Sequence, residues 1–238
     1  MIKAFLIQLG LYTTLYSNQH IWTEDEYKKG LIFTPLIGLI IGGILYLISL
    51  LLPEFLEGFI LLFAYTILTG GLHMDGYSDT LDGILARRGR DRALEIMQDP
   101  LLGTFGILGL IILSLGYYSF FPSLGKALIV LPLLGRYGAL LSVYKNKYTR
   151  LDGMGRYFVE GVKGQLLLIW LPITAFLVYF LLGLAGLLGL GLTLGYSYYM
   201  GRFFLSRLGG MTGDTVGFII ESSQLIFALT FLLVDIWI

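Results

Sequence analysis

Apolar runs long enough to cross about 30 Å of hydrocarbon recur along the chain at roughly 31–52, 55–74, 104–122, 124–144, 166–182, 184–200 and 216–238. Charged residues are gathered between the runs. The pattern predicts an all-α, polytopic membrane bundle of about seven transmembrane helices. The fifth and sixth runs are short and separated only by Gly183, so a re-entrant pair is the alternative to two full crossings there. Met1 to Tyr16 carries one Lys and a short apolar stretch but no small-residue cleavage site. It predicts an interfacial helix rather than a removable signal peptide. No loop is long enough to fold by itself, so residues 1–238 are expected to form one transmembrane domain whose chemistry takes place at a membrane face.

Basic residues alternate between the runs. Lys28 and Lys29, then Arg87, Arg88, Arg90 and Arg92, then Lys145, Lys147, Arg150, Arg156 and Lys163, then Arg202 and Arg207 all precede odd-numbered runs. Thirteen of the 16 basic residues therefore share one side, which the positive-inside rule makes cytoplasmic in a cell (inner) membrane. Composition agrees with a lipid environment: 56% hydrophobic, 13% charged, mean hydropathy +0.81. Formal net charge is zero, so no global field draws nucleic acid, and none is expected as a partner. There is no cysteine, which removes thiol chemistry and leaves zinc only His20 and His73 beside carboxylates.

Six carboxylates at helical spacing stand out in the loop after the second run: Asp75, Asp79, Asp82, Asp91, Glu95 and Asp99. At about 100° per residue, Asp75, Asp79 and Asp82 fall within about 60° of one helix face. Stacked like charges at a membrane border repel unless a cation lies between them. An all-oxygen donor set favours Mg²⁺ or Mn²⁺, with Mg²⁺ the better match and substrate phosphates completing its octahedron. In Asp79-x-x-Asp82-Gly83-x-x-Ala86-Arg87, small residues would let a phosphate approach and Arg87 would hold its oxygens. Solvated helical salt bridges are the competing account of Asp91 and Glu95.

Three further features have structural and functional accounts side by side. Asp214, in Gly209-Gly210-Met211-Thr212-Gly213-Asp214, is either a site residue or a helix N-cap. Glu221, inside the last run, either serves a site or pairs with Arg136, the charge in the interior of the fourth run. Arg136 and Arg202 are candidate substrate-binding residues, although topology alone accounts for most arginines. His73 lies about 160° around the helix from Asp75 and is expected to pack rather than react. Gly38-x-x-x-Gly42 and Gly191-x-x-x-Gly195 are expected to let helices approach closely.

The segment from Gly70 through His73-Met74-Asp75-Gly76 and Asp79-Thr80-Leu81-Asp82-Gly83, then Glu95-Ile96-Met97-Gln98-Asp99 and Gly103-Thr104-Phe105-Gly106, resembles the cobalamin synthase family, adenosylcobinamide-GDP ribazoletransferase. Pro35 to Gly38, Gly135-Arg136 and Gly210 to Thr215 are similar again, so the resemblance runs nearly end to end. It implies an integral membrane, Mg²⁺-requiring transferase that joins adenosylcobinamide-GDP to α-ribazole or its 5′-phosphate and releases GMP. It is compatible with a homo-oligomer or with a complex of cobalamin-assembly enzymes. The stretch Asp79 to Arg87 also looks like the first half of the CDP-alcohol phosphotransferase signature, whose second half is not matched.

On this basis Asp75, Asp79, Asp82, Glu95 and Asp99 are the expected metal ligands, and Asp79, Asp82 and Asp99 the catalytic carboxylates, Asp99 first as base. Arg87, Arg136, Arg202 and Asp214 are the expected substrate-binding residues. Tyr157, Phe158 and Tyr199 are candidate corrinoid contacts. The alternatives are a lipid-forming CDP-alcohol phosphotransferase and an ion-coupled transporter with Asp75, Asp79, Arg136 and Glu221 along its path.

Overall fold

The computed structural model describes residues 1–17 and 23–236; His20 lies outside them. Among the described residues eleven α-helices follow one another: α1 Ile2–Tyr12, α2 Glu24–Gly30, α3 Thr34–Ser49, α4 Glu54–Thr69, α5 Leu72–Leu85, α6 Arg90–Ile96, α7 Thr104–Leu124, α8 Ala127–Val143, α9 Gly155–Gly161, α10 Gly164–Leu208 and α11 Gly213–Asp235. Among the described residues the sole β-type pairing is a bridge between Tyr148 and Met211. This is an all-α, multi-pass membrane bundle.

The buried centre is α8, nearly every residue of which is enclosed, because three helices cover its three faces. On one side Gly38 and Gly42 of α3 bring the two backbones together: a methyl at Gly38 would lie 2.5 Å from the Pro132 carbonyl oxygen. On the second, Gly135 admits the Ile220 carbonyl and Gln224 of α11. On the third, Tyr137 donates to the Leu167 carbonyl at 3.1 Å while Gly138 abuts Ser197, both in α10. Helix association in lipid gains little from hydrophobicity, so this small-residue packing, with polar contacts across helices, holds the bundle. The glycines expected at 191 and 195 behave differently: a methyl at either meets nothing within 4 Å. The packed stripe of α10 runs instead through Gly186, Gly189, Thr193, Ser197 and Gly201.

Those contacts also show that α10 folds back on itself. Leu167 and Ser197 touch adjacent residues of α8, yet a straight helix would set them about 45 Å apart. The reversal is at Gly183 (φ 63°, ψ −149°), a backbone conformation open to glycine. By length and apolarity, four segments qualify as spans, and a fifth if α4 and α5 form one broken span. The difference from seven lies in α4 and α8, at 16 and 17 residues, and in the 164–208 segment, which counts once although folded double.

Polar residues tie the bundle together inside. Glu221 of α11 accepts from Tyr65 of α4 at 2.8 Å and Tyr117 of α7 at 2.5 Å, and Gln224 donates to the Tyr65 hydroxyl at 2.9 Å. Arg136 is fully buried but does not pair with Glu221; its Nη1 donates to the Pro132 carbonyl one turn back. The two expected partners therefore have separate roles.

Candidate functional site at one end of the bundle

Two consecutive left-handed glycines, Gly70 (φ 63°) and Gly71 (φ 71°), stop α4 and turn the chain by 92° into α5. With three carboxylates in its 14 residues, α5 lies past the bend and is the polar half of the α4–α5 pair. It presses on the start of α11 through Gly76, where a methyl would sit 2.8 Å from the Asp214 Cα. That approach brings carboxylates from two distant stretches of sequence to one place. Thr212 caps α11 through a reciprocal pair with Thr215, which leaves Asp214 free of the capping role.

The loop before α9 completes the site. Met211 N–H donates to the Lys147 carbonyl at 2.7 Å and Thr149 N–H to the Met211 carbonyl at 3.0 Å, while Arg90 reaches the Leu208 carbonyl at 2.8 Å. Held this way, Arg150 pairs with Asp214 at 2.5 Å and donates to the Met97 carbonyl at 3.3 Å. The loops expected to share one face of the membrane thus meet at one end of the bundle.

Between them is a cavity of about 410 Å³. Asp75, Gln98, Arg150, Asp152 and Asp214 are among its polar lining, and Tyr12, Tyr27, His73 and Phe158 line it too. Asp79 stands behind, half-buried. Its carboxyl is pushed up to about 7, first by burial and then by the charges of Asp75 and Asp214, with Arg150 opposing. Carboxylate crowding of this kind is what a bound cation relieves.

Asp82 is placed otherwise. Its carboxylate is buried and accepts from the backbone N–H of Gly103 at 2.8 Å and of Gly106 at 2.9 Å, the first turn of α7. Both oxygens are engaged there, and a methyl at either glycine would overlap them. Gly83, expected to leave room for phosphate, is covered by Met97 and Ala93 of α6. Glu95 pairs with Arg92 at 2.8 Å, Asp99 accepts from Leu101 N–H at 2.9 Å, and Asp91 is exposed; none of the three lines the cavity. Arg87 and Arg202 are exposed outside it, Tyr199 is exposed on α10, and Arg136 is buried in the bundle. Among the described residues no three carboxylates or imidazoles stand gathered around one metal position.

Sequence spacing singles out α5, which carries Asp75 and Asp79 to this cavity; it does not single out Arg150 or Asp152, and it gives His73 a packing role. Arg150 was one of five loop cations with no helical period to select it. His73 lies off the acid face of α5, yet it borders the same cavity from the side.

Fold and site together define a multi-pass helical membrane protein with a carboxylate- and arginine-lined cavity at one end. The model of the cobalamin-5-phosphate synthase family matches residues 4–232, and the chain belongs to that family. It is similar to the adenosylcobinamide-GDP ribazoletransferase of Acetivibrio thermocellus, 37% identical over 98% of each chain. No solved structure matches it.

Proposed function

We propose that the chain transfers the cobinamide-phosphate group of adenosylcobinamide-GDP to α-ribazole or its 5′-phosphate, releasing GMP, with Mg²⁺ as its metal and its loops in the cytoplasm. Family membership along nearly the whole chain supports the reaction. The observation that carries the site assignment is the meeting of Asp75, Asp79, Asp214 and Arg150 beside one cavity.

Asp75, Asp79 and Asp214 supply the all-oxygen donor type that Mg²⁺ takes and crowd enough to raise the Asp79 carboxyl, but they do not converge on one position as they stand, so substrate phosphates and a shift of these side chains would complete the site. When bound, the ion would supply charge neutralisation on a diphosphate. We leave Asp82 out of the proposed ligand set because each of its oxygens already accepts an α7 backbone N–H in a buried position.

The chain's own residues do the rest. Arg150, which spans from Asp214 to the Met97 carbonyl, is aimed to take diphosphate oxygens and to hold the leaving GMP phosphate in line. The ribazole hydroxyl attacks the phosphorus on the cobinamide side, the bond to the GMP oxygen breaks, and the hydroxyl proton passes to a carboxylate of the cavity wall. Asp75, Asp152 and Asp214 are the three that line it. Asp99, favoured from the sequence as base, does not line it.

Incubating purified protein with Mg²⁺, α-ribazole and either adenosylcobinamide-GDP or a CDP-lipid separates the reading from a lipid-forming phosphotransferase. GMP release with the first donor and no CMP with the second is expected. A folded protein that releases no GMP overturns it.

A further inference from the structure

The cavity has chemically different sides, and one of them is not needed for a diphosphate. Besides the carboxylates it is lined by Tyr12, Tyr27, Phe158 and His73, all nearly buried. Tyr12 and Tyr27 fix each other through their hydroxyls at 3.2 Å, and the His73 ring lies against Tyr12 at 5.6 Å between centroids. His73 is 4% exposed, and neither of its ring nitrogens has a hydrogen-bond partner. A buried imidazole with both nitrogens unpaired is costly, and a turn of the ring that brought one nitrogen to the cavity it lines would let a polar ligand satisfy it.

Size narrows the ligand. At about 410 Å³ the space is near the lower end of the ~300–1,000 Å³ typical of small-molecule sites. It holds a nucleoside. A corrin macrocycle carrying its amide arms, an adenosyl group and GDP is several times larger and must lie mostly outside.

We infer that this cavity is the nucleoside subsite, taking the flat heteroaromatic base of the acceptor between Tyr12, Tyr27 and Phe158, with His73 donating to the base's free ring nitrogen. The assignment rests on the transfer reaction proposed above, for which α-ribazole is the acceptor. A benzimidazole nucleoside has one unsubstituted ring nitrogen, an acceptor only, and neutral imidazole has one N–H to give it. With the base so held, the ribose points its hydroxyls at Asp75, Asp152 and Asp214, one of which takes the proton as a hydroxyl oxygen attacks the phosphorus on the cobinamide side and GMP leaves. The larger donor approaches over Arg150 from outside.

The test is equilibrium binding of α-ribazole alone to the full chain in lipid nanodiscs, followed by benzimidazole fluorescence, for wild type, His73→Phe and Phe158→Leu. Loss of the buried hydrogen bond in His73→Phe is expected to weaken α-ribazole at least about tenfold, while adenosylcobinamide-GDP affinity stays within about twofold. Hydrogen exchange on the wild type, which needs no variant to fold, is expected to slow in 72–76 and 152–158 when α-ribazole is added. Unchanged α-ribazole affinity in both variants, equal weakening of both substrates, or no protection of those segments overturns the subsite. Failure of the underlying reaction shows separately, as absent GMP release. A protein that makes GMP while its α-ribazole affinity ignores His73 and Phe158 overturns the subsite alone.

Discussion

Replacing Asp82 with Asn separates an acid that holds the fold from one that serves the chemistry. The Asp82 carboxylate accepts two backbone N–H groups at the start of α7, from Gly103 at 2.8 Å and Gly106 at 2.9 Å, in a buried position. An asparagine there keeps one acceptor and turns an NH₂ toward the other N–H, leaving a buried donor unsatisfied at a cost of about 1–3 kcal/mol. Loss of the negative charge at a helix N-terminus adds about 0.3–2 kcal/mol. The sum, roughly 1.3–5 kcal/mol, corresponds to a fall in Tm of about 3–20 °C for a chain of this size. The assay is thermal unfolding in a fixed detergent with Mg²⁺ titrated into the activity of the folded fraction. We expect a lower Tm with the Mg²⁺ response retained, and Gly106→Ala, whose methyl overlaps the same carboxylate, to behave alike. An Asp82→Asn protein that melts within about 2 °C of wild type but no longer responds to Mg²⁺ would refute the capping role, because a loss of that size is too small for two buried hydrogen bonds.

Other consequences are open to measurement. The Asp79 carboxyl is raised to about 7 in the folded protein, so folding binds a proton more tightly there, and its contribution to stability is lost as pH rises through that value. The metal-free protein should therefore melt higher at pH 6 than at pH 8, and Asp79→Asn should flatten the profile; an unchanged profile in the variant would count against the crowding of acids at this site. Mg²⁺ is expected to raise Tm at pH 8 in wild type and not in the Asp75→Asn, Asp214→Asn double variant, and a preserved shift would place the metal elsewhere. Arg150→Lys should raise the KM for adenosylcobinamide-GDP about tenfold or more through loss of the planar two-oxygen grip, with that for α-ribazole little moved; an unaltered KM for the diphosphate substrate contradicts the role given to it. Gly42→Leu would drive a side chain into the backbone of α8 at Leu128 and Ile129 and is expected to abolish folding, whereas Gly195→Leu, with nothing within 4 Å, should fold and insert normally.

Much of the candidate site was legible because α5 is a regular helix in a known period. Asp75, Asp79 and Asp82 recur at spacings of four and three, and the structure carries all three on α5. Spacing fixes angles around a helix axis but not what packs against each angle. Asp82 meets the N-terminus of α7 and Asp79 meets Asp214, and nothing in the local sequence distinguishes them. Glycine patterns divide similarly: the pair at 38 and 42 touches another backbone and the pair at 191 and 195 touches none, although the motifs are identical in form. Only the neighbours differ.

The sequence by itself determined that the chain is a helical membrane protein, where its acids concentrate, which loops share a face and, through its motifs, which family it resembles. These are properties of composition and local period, since burying backbone in lipid leaves helices as the economical solution. Tertiary structure alone decided which charges meet. Arg150 and Asp214 are 64 residues apart and become an ion pair only because α11 packs on α5 through Gly76 and the 147–149 segment pairs with Met211. Contacts at such separations depend on the geometry of the whole bundle. The six carboxylates of the central loop are thereby sorted by what stands opposite them: a helix end for Asp82, an arginine in the same helix for Glu95, and a cavity for Asp75.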